Sequence, residues 1–437
     1  MSTRPLTRPA TSADRWFGIK TLIHSKLLSS LTPDQLKVLN KEGVREQIGN
    51  VVERLVKDES VPMTVSEREK VIEEVLDEVF GLGPLEPLLK DPAVSDVLVN
   101  GYDSVYVERG GRISETNVRF KDHAHLRMII DRIVSNIGRR IDDSSPIVDA
   151  RLEDGSRVCA VIPPLSLIGP VMTIRRFGRK LLSTDDLLRS ETLTTGMLDL
   201  LSGCVEARLN VVISGGSGSG KTTILNTLSR FIPEEERVVT IEDTAELQLQ
   251  QSHVVRLETR PPNIEGAGAI SQRDLVINAL RMRPDRIVIG ECRGPEALDM
   301  MQAMNTGHDG SMTTTHANSP KDAFSRLETM VMMASANIPD RVIRQMLASA
   351  VNIVIHCARL TDGSRKILAI SEVREVEDDQ VYLDDIFVLE RSGLSQRGRV
   401  QGRFRATGYR PRCMARMKAY GIHLSSSIFQ EEAVLKE

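Results

Sequence analysis

The chain is 437 residues long, with 41% apolar residues, 27% charged residues and a formal net charge of -3, a composition typical of globular proteins with room for about three domains. That balance excludes a surface given over wholly to polyanion binding. The absence of any run of 18 apolar residues argues against a membrane-spanning helix.

The opening stretch, 1–15, is rich in Ser, Thr, Pro and Arg and reads as a disordered tail without the apolar core of a secretory signal. Residues 16–80 read as a small helical domain. Apolar residues recur at helical spacing over 16–31, and Thr32-Pro33-Asp34-Gln35 has a capping pattern that opens a helix to about Asp58. Ser66-Glu67-Arg68-Glu69 is a second such pattern, followed by an apolar face of Val71, Ile72, Val75, Leu76 and Val79, with Gly81 as the stop.

The pattern then changes. Asp96–Asn100, Ser104–Glu108 and Arg112–Phe120 read as strands, with Gly110-Gly111 as a hairpin turn. A helix is expected over His125–Ile137, and further strands over Ile147–Leu152, Arg157–Ile162 and Val171–Phe177. Together these make an α+β domain over 84–178. Residues 179–192 read as a charged linker.

From about 193 to 437, short apolar strands alternate with helical patterns, the signature of a mostly parallel, buried sheet. The expected strands are Asn210–Ser214, Arg237–Glu242, Arg286–Gly290, Ser311–Thr315 and Asn352–His356, with a terminal hairpin over Val373–Val376 and Val381–Leu389. Five cysteines lie far apart and never form a C-x-x-C pair, which excludes a zinc ribbon or disulfide scaffold and fits a reducing cytoplasm.

The chemistry is concentrated at the ends of these strands. Gly215-Gly216-Ser217-Gly218-Ser219-Gly220-Lys221-Thr222 fits G-x-x-x-x-G-K-[ST], follows an apolar strand and opens a helix at Thr223. In such a loop backbone N–H groups wrap the phosphates of ATP, Lys221 reaches the β and γ phosphates, and the Thr222 hydroxyl binds Mg²⁺. Two further strands end in carboxylates, Glu242-Asp243 and Glu291. One glutamate can activate water and the other hold Mg²⁺ through its waters. In the second, Gly290 stands where an Asp is usual. Thr313, Thr314 and Thr315 lead to His316, a polar strand end suited to contacting a γ-phosphate. The methionines at 300, 301, 304, 330, 332 and 333 read as core packing.

These four blocks in this order resemble the secretion ATPase superfamily of type II, type IV pilus and type IV secretion systems. The stretch 80–89 (Phe-Gly-Leu-Gly-Pro-Leu-Glu-Pro-Leu-Leu), Val99-Asn100-Gly101, the blocks 148–158 and 173–177, and 402–408 resemble its CpaF/TadA branch, the tight-adherence pilus assembly ATPases.

The resemblance implies an N-terminal PAS-like domain, a RecA-like ATPase domain and a homo-hexameric ring at the inner face of the inner membrane. ATP hydrolysis there would drive pilins through a platform protein. It also implies Glu242 as the base, Glu291 as the metal-binding acid, His316 as the γ-phosphate contact, and N-domain arginines completing the site, with Arg140, Arg151, Arg157 and Arg176 as candidates. Two other readings compete with this one. A DNA-translocating or type IV secretion ATPase is suggested by nine Arg/Lys and no acid over 391–418, and a non-motor nucleotide switch is the third possibility.

Overall fold

The computed structural model describes residues 45–46, 48–50, 53–54, 64–152, 154–176, 182–260, 262, 267–335 and 337–435. The expected tail over 1–15 and nearly all of the expected helices over 16–58 lie outside the described residues. The chain divides into two compact units, Met1–Phe177 and Gly178–Glu437.

In the first unit, the helix Val65–Phe80 starts at Thr64 rather than Ser66. The Thr64 hydroxyl accepts from the Glu67 N–H, and the Glu67 carboxylate accepts from the Thr64 N–H at 2.7 Å. Thr64-x-x-Glu67 and Ser66-x-x-Glu69 both fit the capping pattern, so the sequence alone does not separate them. Val71, Val75 and Leu76 are the buried face.

Six strands follow: β1 Val94–Asn100, β2 Val105–Arg109, β3 Arg112–Glu115, β4 Ile147–Arg151, β5 Arg157–Val161 and β6 Val171–Arg175. They form one antiparallel sheet in the order β3-β2-β1-β6-β5-β4. Gly110 and Gly111 both have positive φ, as a tight two-residue hairpin turn demands. Leu126, Ile129, Ile130 and Ile133 of the helix His123–Asn136 share an apolar core with Val97, Val107, Val158 and Ile174 of the sheet.

The second unit is built on a ten-stranded sheet. Its strands are β7 Val211–Gly215, β8 Val238–Glu242, β9 Val254–Glu258, β10 Arg286–Ile289, β11 Met312–Thr315, β12 Ile353–Arg359, β13 Arg365–Glu377, β14 Gln380–Leu394, β15 Val400–Ala406 and β16 Glu432–Val434. Six run parallel in the order β9-β8-β10-β11-β7-β12, and β13 to β16 extend the β12 edge antiparallel.

Strand alternation sorts the core into two layers. Val211 and Ile213 pack with Leu200, Leu201, Leu225 and Leu228, from the helices Thr195–Glu206 and Lys221–Ser229. Val212, Val239 and Ile287 pack with Met300, Met301, Leu327 and Leu347, from three helices of the other layer. Met330 is also buried, but Met332 and Met333 are exposed, so the expected methionine core is smaller than the sequence suggests.

The expected linker 179–192 is folded from Ser183 onward. Ser183 caps the helix Thr184–Arg189, Leu187 is buried in the second unit's core, and the Thr192 carbonyl accepts from Ile367 N at 2.9 Å. The charged residues that suggest a linker are helix-start acids, Asp185 and Asp186, placed where the helix dipole favours them.

Arg286, at the start of β10, is fully buried and paired with Glu236. It also donates to the Val205 carbonyl at 2.7 Å. Arg286→Ala removes the buried partner of Glu236 and leaves it only the longer contact to Arg208 at 3.7 Å. It is expected to destabilise this unit by about 3–5 kcal/mol, read as a shifted urea midpoint.

Candidate functional site

The parallel strands place their C-terminal ends on one edge, where open α/β sheets bind ligands. β7 ends in the loop 215–222, which turns into the helix Lys221–Ser229. Gly220 sits at that helix's N-cap with φ +98°, a conformation that favours glycine, and no side chain caps the N-terminal N–H groups. Those groups, with the helix dipole, suit the loop to an anion. Ser219 is buried and bonds the Gly216 carbonyl at 2.8 Å, Gly216 and Ser217 are exposed, and Thr222 and Thr223 are half-buried.

Lys221 is 8% exposed, and its ammonium donates to the carbonyls of Gly215 (3.1 Å) and Gly216 (2.9 Å). Its Nζ lies 3.4 Å from His316 Nε2, which lies 2.9 Å from Glu291 Oε1. Three sequence-predicted residues from three segments, the P-loop helix and the ends of β11 and β10, thus meet in one chain of contacts.

The threonines before His316 do not join them. Thr314 and Thr315 hydroxyls bond the carbonyls of Gly290 and Cys292, and Thr313 contacts the Cys292 sulfur. They fasten β11 to the loop carrying Glu291, a structural task in place of the phosphate-sensing one expected from their hydroxyls.

Glu242, at the end of β8, is 3% exposed. Its Oε2 accepts from Glu246 N (2.7 Å) and Leu247 N (2.8 Å), and Oε1 is buried without a hydrogen-bond partner among the described residues. Burial pushes its carboxyl above the ordinary value, against the opposing pull of the two N–H groups. Glu242 also accounts for Gly290. A Cβ at position 290 would stand 3.0 Å from Glu242 Cγ, so the Asp usual in this motif would crowd Glu242 and force it to shift.

One partner of this site, Arg293, carries no signal of its own in the sequence. It pairs with Asp243, linking the Glu291 loop to the acidic box. Arg293 and His316 also line one cavity of about 420 Å³ with Asn318 and Arg326.

The candidate arginines of the first unit divide by register. Arg151, Arg157 and Arg175 stand directly opposite one another across β4, β5 and β6, so their side chains share a sheet face. Arg176 points the other way and donates to the carbonyls of Asp91 and Val94, the latter at 3.0 Å. Its contacts fasten the strand to its own domain. Arg140 is exposed, 3.4 Å from Asp142. Arg175 was legible in principle. In Val171-Met172-Thr173-Ile174-Arg175 the alternation sets Arg175 on the exposed face with Thr173.

A phosphate loop on a parallel sheet with two acidic strand ends and a histidine beside its lysine defines a RecA-like P-loop ATPase core. The chain belongs to the type II/IV secretion system protein family, whose profile matches residues 78–406. The N-terminal domain profile of type II secretion system protein E matches 16–80.

A Mycobacterium tuberculosis protein named for conjugal transfer is 37% identical over 306 residues, spanning 69% of this chain and 86% of the relative. Conjugal transfer protein TrbB of Rhizobium radiobacter is 31% identical over 306 residues, 69% of this chain and 88% of its own. The crystal structure of the VirB11 ATPase from the Brucella suis type IV secretion system, in complex with sulphate, is similar at 28% identity. It covers 69% of this chain and 95% of that one, with a TM-score of 0.36.

Proposed function

We propose that this chain is an ATP-hydrolysing motor that works as a homo-hexamer at the cytoplasmic face of the inner membrane. It powers assembly of a tight-adherence type IV pilus through a membrane platform protein. The observation that carries the hydrolytic reading is the Lys221–His316–Glu291 cluster at the phosphate loop.

In this scheme the loop N–H groups and Lys221 hold the β and γ phosphates, and His316 contacts the γ-phosphate. Glu242 takes the proton of the attacking water, supported by its raised carboxyl and its spare Oε1. Water oxygen bonds to the γ-phosphorus, the bond to the β-phosphate oxygen breaks, and ADP and phosphate leave.

Thr222 and the half-exposed Glu291 are oxygen donors suited to Mg²⁺. With so few protein ligands the ion would be carried mainly by phosphate and water. Bound Mg²⁺ neutralises phosphate charge. Of the arginines, Arg151, Arg157 and Arg175 lie together on one sheet face, a grouping of cations suited to an anion, whereas Arg176 stands apart from them.

A second reading, type IV secretion or DNA transfer, draws on the relatives named for conjugal transfer. The basic stretch 391–418 supports it less than its charge suggests. Arg403 and Arg405 pair with Glu390, and Arg416 pairs with Asp309.

Deleting the gene and imaging the cells tests the pilus reading, which expects loss of pili. Intact pili, together with an ATPase rate that rises with added DNA and falls with salt, would favour the second reading. Mass photometry with a non-hydrolysable ATP analogue is expected to show a particle of six chains.

A further inference from the structure

Two basic side chains lie beside the phosphate loop from β12 and β13, one of them bonded to it, and the hydrolytic scheme uses neither. Arg365, the first residue of β13, donates Nε–H to the Gly218 carbonyl at 2.9 Å. Its Cδ lies 3.4 Å from where a Cβ would stand at Gly220, and an Arg359 nitrogen lies 3.7 Å from the equivalent point at Gly218. Gly218 and Gly220 have φ of +67° and +98°, so the apex turns sharply at residues with no side chains to fix its shape.

A peptide group is planar and trans, so its C=O and N–H point to opposite sides. Drawing the Gly218 carbonyl onto Arg365 therefore turns the Ser219 N–H the other way, toward the Gly216 carbonyl 3.4 Å off. That contact closes a turn inside the loop, so the Arg365 bond helps set the shape in which the remaining loop N–H groups are held.

Arg365 is itself braced. Leu360 N donates to the Ser364 carbonyl at 2.7 Å, closing the turn before β13. Asp362, in that turn, accepts from Ser364 N and from Val400 N of β15, both at 2.9 Å. The next residue, Lys366, donates to the Ser190 carbonyl at 2.9 Å.

We propose that Arg365 is a positioning residue for nucleotide phosphate binding, which orients the apex of the phosphate loop through the Gly218 carbonyl and ties it to the C-terminal antiparallel strands. The inference rests on reading 215–222 as the nucleotide site.

The test titrates a fluorescent ADP analogue into the intact chain, its Arg365→Ala and Arg365→Lys variants, and Lys221→Ala. Melting is measured in parallel without nucleotide. Arg365→Ala is expected to weaken binding roughly five- to tenfold, the scale of one charge-assisted hydrogen bond near solvent. Arg365→Lys, which keeps a cationic donor, is expected within about twofold of the wild type. Melting without nucleotide should be unchanged in both.

Wild-type affinity in Arg365→Ala, a Lys variant as weak as Ala, or a lowered melting temperature in both variants would overturn the proposal. If the wild type binds no better than Lys221→Ala, the nucleotide reading itself falls and this inference with it.

Discussion

Lys221→Ala is expected to lose measurable nucleotide binding, with affinity down at least ~100-fold. Lys221 is the cation enclosed by the loop, held by the Gly215 and Gly216 carbonyls and in contact with His316. Its three donors and full charge sit where backbone dipoles converge, and a charge-assisted contact to phosphate is about twice as strong as a neutral one. Alanine removes the charge and the donor that bridges the Gly215 and Gly216 carbonyls, so the loop is less well shaped as well as less cationic. Isothermal titration with ADP and with an ATP analogue checks this. Retained affinity would mean that the loop does not hold the phosphates.

Glu242→Gln is expected to bind ATP within a few-fold of the wild type but to turn over at least ~100-fold more slowly, the scale of general-base loss. The amide is isosteric, and its oxygen can still accept from the Glu246 and Leu247 N–H groups. What is lost is the basic carboxylate. The pH profile supplies a second readout. A base works only when deprotonated, and burial raises this carboxyl. The wild-type rate should therefore rise with pH along an acidic limb lying above the ordinary glutamate range, and Glu242→Gln should lack that limb. Near-native turnover in Glu242→Gln with an inactive Glu291→Gln would move the base to Glu291, which touches His316.

The parallel core was legible because its strands are short apolar runs closed by chemically distinct ends. β7, β8, β10 and β11 fall within a residue or so of the expected spans. The C-terminal antiparallel strands were harder. β13 and β14 run 13 and 15 residues, with exposed charged positions such as Arg365 and Glu377 that dilute any apolar pattern. β15 lies inside the stretch 391–418, whose arginines read as a solvent-facing strip. Pairing with Glu390 and Glu432 is long-range information that no local window contains.

The site was legible as residue types but not as orientations. The sequence puts Thr313 to Thr315 beside His316, yet only the fold shows that the hydroxyls turn to the neighbouring strand end. Likewise, choosing between Arg175 and Arg176 needs the β6 register. Gly290 looks like a defective motif until Glu242 is seen lying against it.

Steady-state phosphate release by the intact chain, with Mg²⁺ and saturating ATP and with Lys221→Ala as the reference, tests the hydrolytic account most directly. The account predicts sustained release well above that of Lys221→Ala. A chain that binds ATP but releases phosphate no faster than Lys221→Ala would contradict it and leave a nucleotide-binding switch in place of a motor.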